Sequence, residues 1–98
     1  MAEENRLQDI VKQQLQMLAY QKQEFAFRVE ELKKALEEVK KSNETYRFYG
    51  SILVKKDQKE LIEEINAELK ELQDRLQVME MQEQKMKGIS ESKKQNFN

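Results

Sequence analysis

Cysteine, histidine, proline and tryptophan are all missing from these 98 residues, and glycine occurs only twice. Without Cys or His there is no thiolate or imidazole to hold zinc, iron or copper, no Cys nucleophile and no His base. No metal, cofactor or catalytic residue is therefore expected. Paired acids such as Glu30-Glu31, Glu37-Glu38 and Glu63-Glu64 read as solvated helix faces with no concave pocket to shift their pKa values. Charge of one sign is not in excess either: 18 Lys and Arg meet 19 Asp and Glu, balanced on either side of Tyr49, so there is no basic arm for nucleic acid. No run approaches the roughly 20 apolar residues of a membrane span. The opening Met-Ala-Glu-Glu-Asn-Arg lacks the apolar stretch of a secretory signal. These absences predict a soluble, cytoplasmic non-enzyme with no nucleic-acid, membrane or metal partner.

What is present is helix-forming. Glu, Lys, Gln and Leu run on with few breakers, and hydrophobic and charged residues each make up 38%, a composition of long helices or coiled coil rather than of a globular core. Val11, Leu15, Leu18, Phe25, Val29, Leu32, Leu36 and Val39 recur in steps of four and three. Assigning a to Gln8, Leu15, Lys22, Val29 and Leu36 makes every d position apolar. A second seam runs through Ile62, Ile65, Leu69, Leu72, Leu76, Met79, Glu83 and Met86.

Between the seams the period changes. Ser42-Asn43 is a helix stop, and Thr45-Tyr46-Arg47-Phe48 and Ile52-Leu53-Val54 are aromatic and β-branched runs about Tyr49-Gly50-Ser51, which predicts a β-hairpin with Gly in its turn. Asp57-Gln58-Lys59-Glu60 has the form of a capping box opening a second helix. The expected order is a coiled-coil helix over 1–42, a hairpin over 43–57, a second helix over 58–88 that ends at Gly88, and a frayed polar tail over 89–98.

Two seams joined by a tight connection meet by folding back. The fold class is thus mainly α: an antiparallel two-helix coiled coil about 50 Å long, at roughly 1.5 Å per residue, with one hairpin at the connection. Layers whose residue numbers sum to about 101 pair d with a, setting Val29 against Leu72 and Phe25 against Leu76. In that register Lys22 and Glu83 form an ion pair across one layer, their stems lying on apolar surface.

A lone two-stranded hairpin is marginal in water. With no third strand in the chain, Tyr46, Phe48, Tyr49, Ile52, Leu53 and Val54 about Gly50 are expected to be covered by hairpins of other chains in a shared intersubunit β-barrel. At the far end of the helices, Leu7, Ile10, Met17, Tyr20, Val78, Met81 and Ile89 add apolar bulk off the seam, beside Leu18, Met79 and Met86 on it. Met is flexible and polarizable and suits varied apolar partners. Leu7, Ile10, Met17, Leu18, Val78, Met79, Met81 and Met86 are therefore read as a tip that grips exposed apolar segments of non-native proteins.

The heptad helix, the run from Tyr46 to Lys56, then Leu69-Lys70-Glu71-Leu72-Gln73-Asp74-Arg75-Leu76 and Met81-Gln82-Glu83-Gln84-Lys85 together resemble the β class of prefoldin subunits, of the archaeal type. The most specific element is Tyr46, three residues, Gly50, a small residue, then aliphatics ending in Lys. One hairpin, where the α class has two, is what points to the β class. The resemblance implies a hexamer of two α-class and four β-class subunits on a β-barrel platform, ATP-independent capture of unfolded polypeptide at the coiled-coil tips, and delivery to a group II chaperonin. The competing reading is a coiled-coil tether or adaptor that binds one specific partner.

Overall fold

Two long helices flank a two-stranded hairpin in this computed structural model, which describes the backbone of residues 2–95 and the side chains of residues 5–89. Helix α1 spans Ala2–Lys41, strands β1 and β2 span Thr45–Tyr49 and Ile52–Lys56, and helix α2 spans Gln58–Gln95. The fold class is the expected one of two helices joined by a single hairpin.

Helix α1 contains no Gly or Pro, and it stops where a hydroxyl takes over its last carbonyls. Ser42 donates from its backbone N–H to Val39 O at 3.2 Å and from Oγ to Glu38 O at 2.8 Å, filling acceptors that a helix end leaves open. Lys40 and Lys41 in the last turn suit the negative end of the helix dipole.

The hairpin is antiparallel, pairing Thr45 with Lys56, Tyr46 with Lys55, Arg47 with Val54, Phe48 with Leu53 and Tyr49 with Ile52. Gly50 and Ser51 are left as a two-residue turn. Gly50 has φ 61° and no other residue has positive φ among those described, which is the pattern of a type II′ turn, whose twist matches that of its strands. Opposed residues share a face. Thr45, Arg47, Tyr49, Ile52, Val54 and Lys56 therefore lie on one side, and Tyr46, Phe48, Leu53 and Lys55 on the other.

Asp57 opens α2 through its backbone carbonyl, which accepts from Leu61 N–H at 2.9 Å, the role of an N-cap residue. Gln58 Nε2 reaches back to the carbonyls of Val39 at 2.8 Å and Lys40 at 3.1 Å, tying the start of α2 to the end of α1. The expected stop at Gly88 is not there: α2 continues through it to Gln95. A glycine inside a helix costs about 1 kcal/mol, which weakens a helix without ending it, and residues 89–95 carry no Pro. The last part of the expected frayed tail, residues 96–98, lies outside the described residues.

Among the described side chains of α1, those not exposed are Gln8, Val11, Leu15, Leu18, Lys22, Phe25, Val29, Leu32, Leu36 and Val39, the a and d positions of the predicted seam. All eight predicted seam residues of α2 are likewise covered. Near the hairpin, however, α2 covers a wider strip that adds Leu61, Glu64 and Glu68. Leu61, off the seam, is the most deeply buried apolar residue described, at 2% exposed, on the same flank of α2 as Glu64 and Glu68, which Arg47 of the hairpin bonds. The chain divides into two compact units, one built from Phe27–Asp74 and carrying the hairpin, the other from the helical segments on either side of it.

Candidate functional site

In the hairpin unit, one carboxylate gathers three hairpin side chains. Glu64 accepts from Lys56 Nζ at 2.8 Å, from Arg47 at 3.2 Å and from the Tyr49 hydroxyl at 3.1 and 3.2 Å. Arg47 also hydrogen-bonds Glu68, one helical turn further along α2. The donors come from alternate residues of β1 and from the base of β2, so strand pleat and helix turn bring them into register. The Arg47 guanidinium and the Lys56 ammonium both lie against the Tyr49 ring, at 5.8 and 5.4 Å from its centroid, within the range of cation–π attraction. The Lys56 hydrogen bond, working against desolvation, holds Glu64 below the usual carboxylate range, with Tyr49 and Arg47 adding to it. The same bond is the main cause pushing the Lys56 ammonium up. At the root of the hairpin the Thr45 hydroxyl, buried, donates to Lys56 O at 2.6 Å.

This network binds one face of the hairpin to its own helix and leaves the other bare. Tyr46, Phe48 and Leu53 are exposed on the far side, Phe48 at 66%. Ile52 and Val54 share the face of Arg47 yet are exposed too, as is Tyr49. All the hairpin residues singled out in the sequence thus meet solvent in the single chain, Gly50 among them. Both sheet edges are unpaired within the described residues, because the sheet has only two strands. Exposed apolar side chains beside open strand edges are what pairing with another strand would cover.

In the terminal unit, an open groove of about 460 Å³ is lined by Gln14, Met17, Leu18 and Gln21 of α1 and by Gln82, Lys85, Met86 and Ile89 of α2. Every lining residue occupies a c, d or g position, so the groove follows one flank of the seam. The same flank carries Leu7 and Ile10 on α1 and Val78 on α2, all exposed. The opposite b and e positions hold Lys12, Gln16, Ala19, Gln23 and Ala26 on α1 and Gln77, Glu80, Gln84 and Lys87 on α2. The apolar character of this unit is one-sided.

Of the eight predicted tip residues, the groove brings together Met17, Leu18 and Met86. Leu18 is only 9% exposed, a floor residue rather than a projecting one, as its d position dictates. Leu7, Ile10 and Val78 lie along the flank outside the groove, Met79 is half-buried on the seam, and Met81 projects from the outer f position. The glutamines at 14, 21 and 82 and Lys85 were missed by a search for apolar residues alone. Their c and g phase was the signal that could have found them. The Glu64 cluster was missed as well, because it depends on the angle at which the hairpin lies on α2.

Among the described residues no cluster of acids could hold a metal ion, and no helix is long and apolar enough to cross a membrane. A helical pair with one hairpin at its connection defines a coiled-coil fold, here with an uncovered apolar strand face and a one-sided apolar groove. The family described as prefoldin subunit matches residues 2–98. The crystal structure of the prefoldin beta subunit from Thermococcus strain KS-1 is similar with a TM-score of 0.81 and 28% sequence identity, over 88% of this chain and 78% of that one. No curated protein sequence matches the chain. The chain belongs to the prefoldin family, a family of chaperones and not of enzymes, and its one hairpin and structural match make it a subunit of the beta class.

Proposed function

We propose that the chain captures unfolded polypeptide without ATP through its terminal unit, assembles through its hairpin with an α-class prefoldin subunit, and passes its cargo to a group II chaperonin in the cytoplasm. The observation that carries the capture reading is the groove lined from both helices by Met17, Leu18, Met86 and Ile89. Non-native chains differ from native ones in presenting apolar segments, and a flexible Met-containing surface re-packs around many of them. Nothing in that process needs a titrating group or a nucleotide.

Assembly is supported by the uncovered face of Tyr46, Phe48 and Leu53 and by the open edges of β1 and β2. Hairpins of several chains pairing edge to edge into a barrel would cover both. A hexamer of two α-class and four β-class chains is the stoichiometry this reading takes.

The test is the native mass of the chain alone and mixed with the α-class subunit from the same source. The expected result is a hexamer on mixing that suppresses aggregation of a denatured protein and releases it to a group II chaperonin. Phe48→Asp with Ile52→Asp should stop assembly, and Ile10→Ser with Met17→Ser and Met81→Ser should weaken aggregation suppression while leaving the assembled mass unchanged. A chain that stays monomeric or dimeric, indifferent to that partner and to unfolded protein, returns the reading to a tether for one specific partner.

A further inference from the structure

Sulfur is unevenly placed in this chain. There is no cysteine, and residues 27–74, which form the hairpin unit, contain no methionine. The four methionines with described side chains, Met17, Met79, Met81 and Met86, all fall in the terminal unit. Two of them, one from each helix, line the groove. Met17 is 62% exposed and Met86 half-buried, so both thioethers are within reach of a small oxidant in water.

We propose that Met17 and Met86 form an oxidation site at which a hydroperoxide converts the groove from an apolar to a polar surface and so weakens capture; this rests on the groove being the capture surface. The step is self-contained. The thioether sulfur attacks the hydroxyl oxygen of the hydroperoxide, the O–O bond breaks, an S–O bond forms, and the proton on that oxygen passes to the departing alkoxide or hydroxide. Sulfur loses two electrons to give the sulfoxide, and the hydroperoxide is reduced to the alcohol, or to water when hydrogen peroxide is the oxidant. Methionine sulfoxide is polar and reversible by dedicated reductases.

The rest of the lining makes the oxidised state a stable one. Gln14, Gln21, Gln82 and Lys85 share the groove with the two sulfurs, and their amide and ammonium groups are donors suited to a sulfoxide oxygen. Each donor so engaged is withdrawn from a bound segment, and each thioether lost removes a flexible apolar contact. Met81 offers an internal comparison, being exposed but outside the lining. Because the hairpin unit has no sulfur, peroxide leaves this chain's assembly surface chemically untouched.

The experiment treats this chain with hydrogen peroxide, removes the oxidant with catalase, and assembles the chain with untreated α-class partner. Peptide mass spectrometry counts sulfoxide at each methionine, native mass reports assembly, and suppression of aggregation of a denatured protein reports capture. The expected result is an intact assembly whose half-maximal capture needs about tenfold more protein, the size of one buried polar group left in an apolar contact. Methionine sulfoxide reductases acting on both epimers should reverse it. Each variant is compared with itself before and after peroxide: Met17→Leu with Met86→Leu should lose most of the response, and Met81→Leu should keep most of it. Unchanged capture with both groove methionines fully oxidised overturns the inference, as does an undiminished response in the double Leu variant. Untreated assembly that captures nothing overturns the capture reading itself and this inference with it.

Discussion

Lys22 and Glu83 occupy a positions of opposing seams, and their charged ends stand 3.8 Å apart. Lys22 also lies 3.9 Å from Glu80, and Lys87 donates to Glu83 at 3.1 Å. The Glu83 side chain is only 15% exposed, and its carboxyl is held below the usual range chiefly by Lys87 and then by Lys22. A charged pair inside an apolar seam stabilises less than two leucines would, and it penalises registers that separate the charges. Replacing Lys22 and Glu83 together by Leu should therefore raise the melting temperature by about 5 °C. The same change should blur the register, so that engineered cysteines at 29 and 65 begin to crosslink beside those at 29 and 72.

Acid should undock the hairpin before it melts the helices. Glu64 has a depressed folded-state pKa, so its stabilising effect is complete above the unfolded value of about 4.3 and is lost as pH falls through the lower folded value. Lys56, raised mainly by its bond to Glu64, contributes fully below about 10.4 and loses its effect as pH rises through its own higher value. Docking is thus constant across neutral pH and fails on the acid side. The NMR shifts of the Tyr49 ring, followed from pH 7 to pH 3, should report this transition, and Glu64→Gln should abolish it. Because these pairs are only partly buried, high salt should loosen the hairpin as well.

Leu61 and its neighbour Ile62 should respond unequally to truncation. Leu61→Ala opens a cavity at a buried site and should cost about 2–4 kcal/mol of unfolding free energy. Ile62, on the seam but half-exposed, should cost less. Urea denaturation followed by circular dichroism measures both.

Gly50→Ala tests the turn. Open space surrounds the position where a Cβ would stand, so the penalty comes from the backbone at φ 61°, about 1 kcal/mol for an L-residue held there. Gly50→Asn should recover part of it, since Asn tolerates this region better. Slower or weaker hexamer formation on mixing is the expected readout.

Much of this was legible in the sequence, for physical reasons that differ from part to part. Heptad phase places Gln8 to Val39 and Ile62 to Met86 on the seam, since a helix's period alone decides which side chains face its neighbour. The hairpin follows from a change of period about one glycine. Leu61 was not legible, because it lies off the seam, on the flank of α2 to which Arg47 of the hairpin is bonded through Glu64 and Glu68. Gly88 misled because its cost is small beside the helix on either side of it. At the groove, apolar composition found Met17, Leu18 and Met86, while the amides between them carry no apolar signal and only their c and g phase marks them.

The pairing of the hairpin has a final consequence. Its three rungs nearest the turn are Tyr49 with Ile52, Phe48 with Leu53 and Arg47 with Val54, whereas Lys55 and Lys56 occupy the two rungs at the root. On β2 the apolar residues Ile52, Leu53 and Val54 are thus confined to the outer half of the strand, and lysines hold the inner half. Stacking of hairpin upon hairpin brings ammonium groups together as soon as it extends towards the helices, which is a known defence of exposed strands against endless growth. A chain with this much apolar strand at its surface thereby carries its own brake against becoming a fibre.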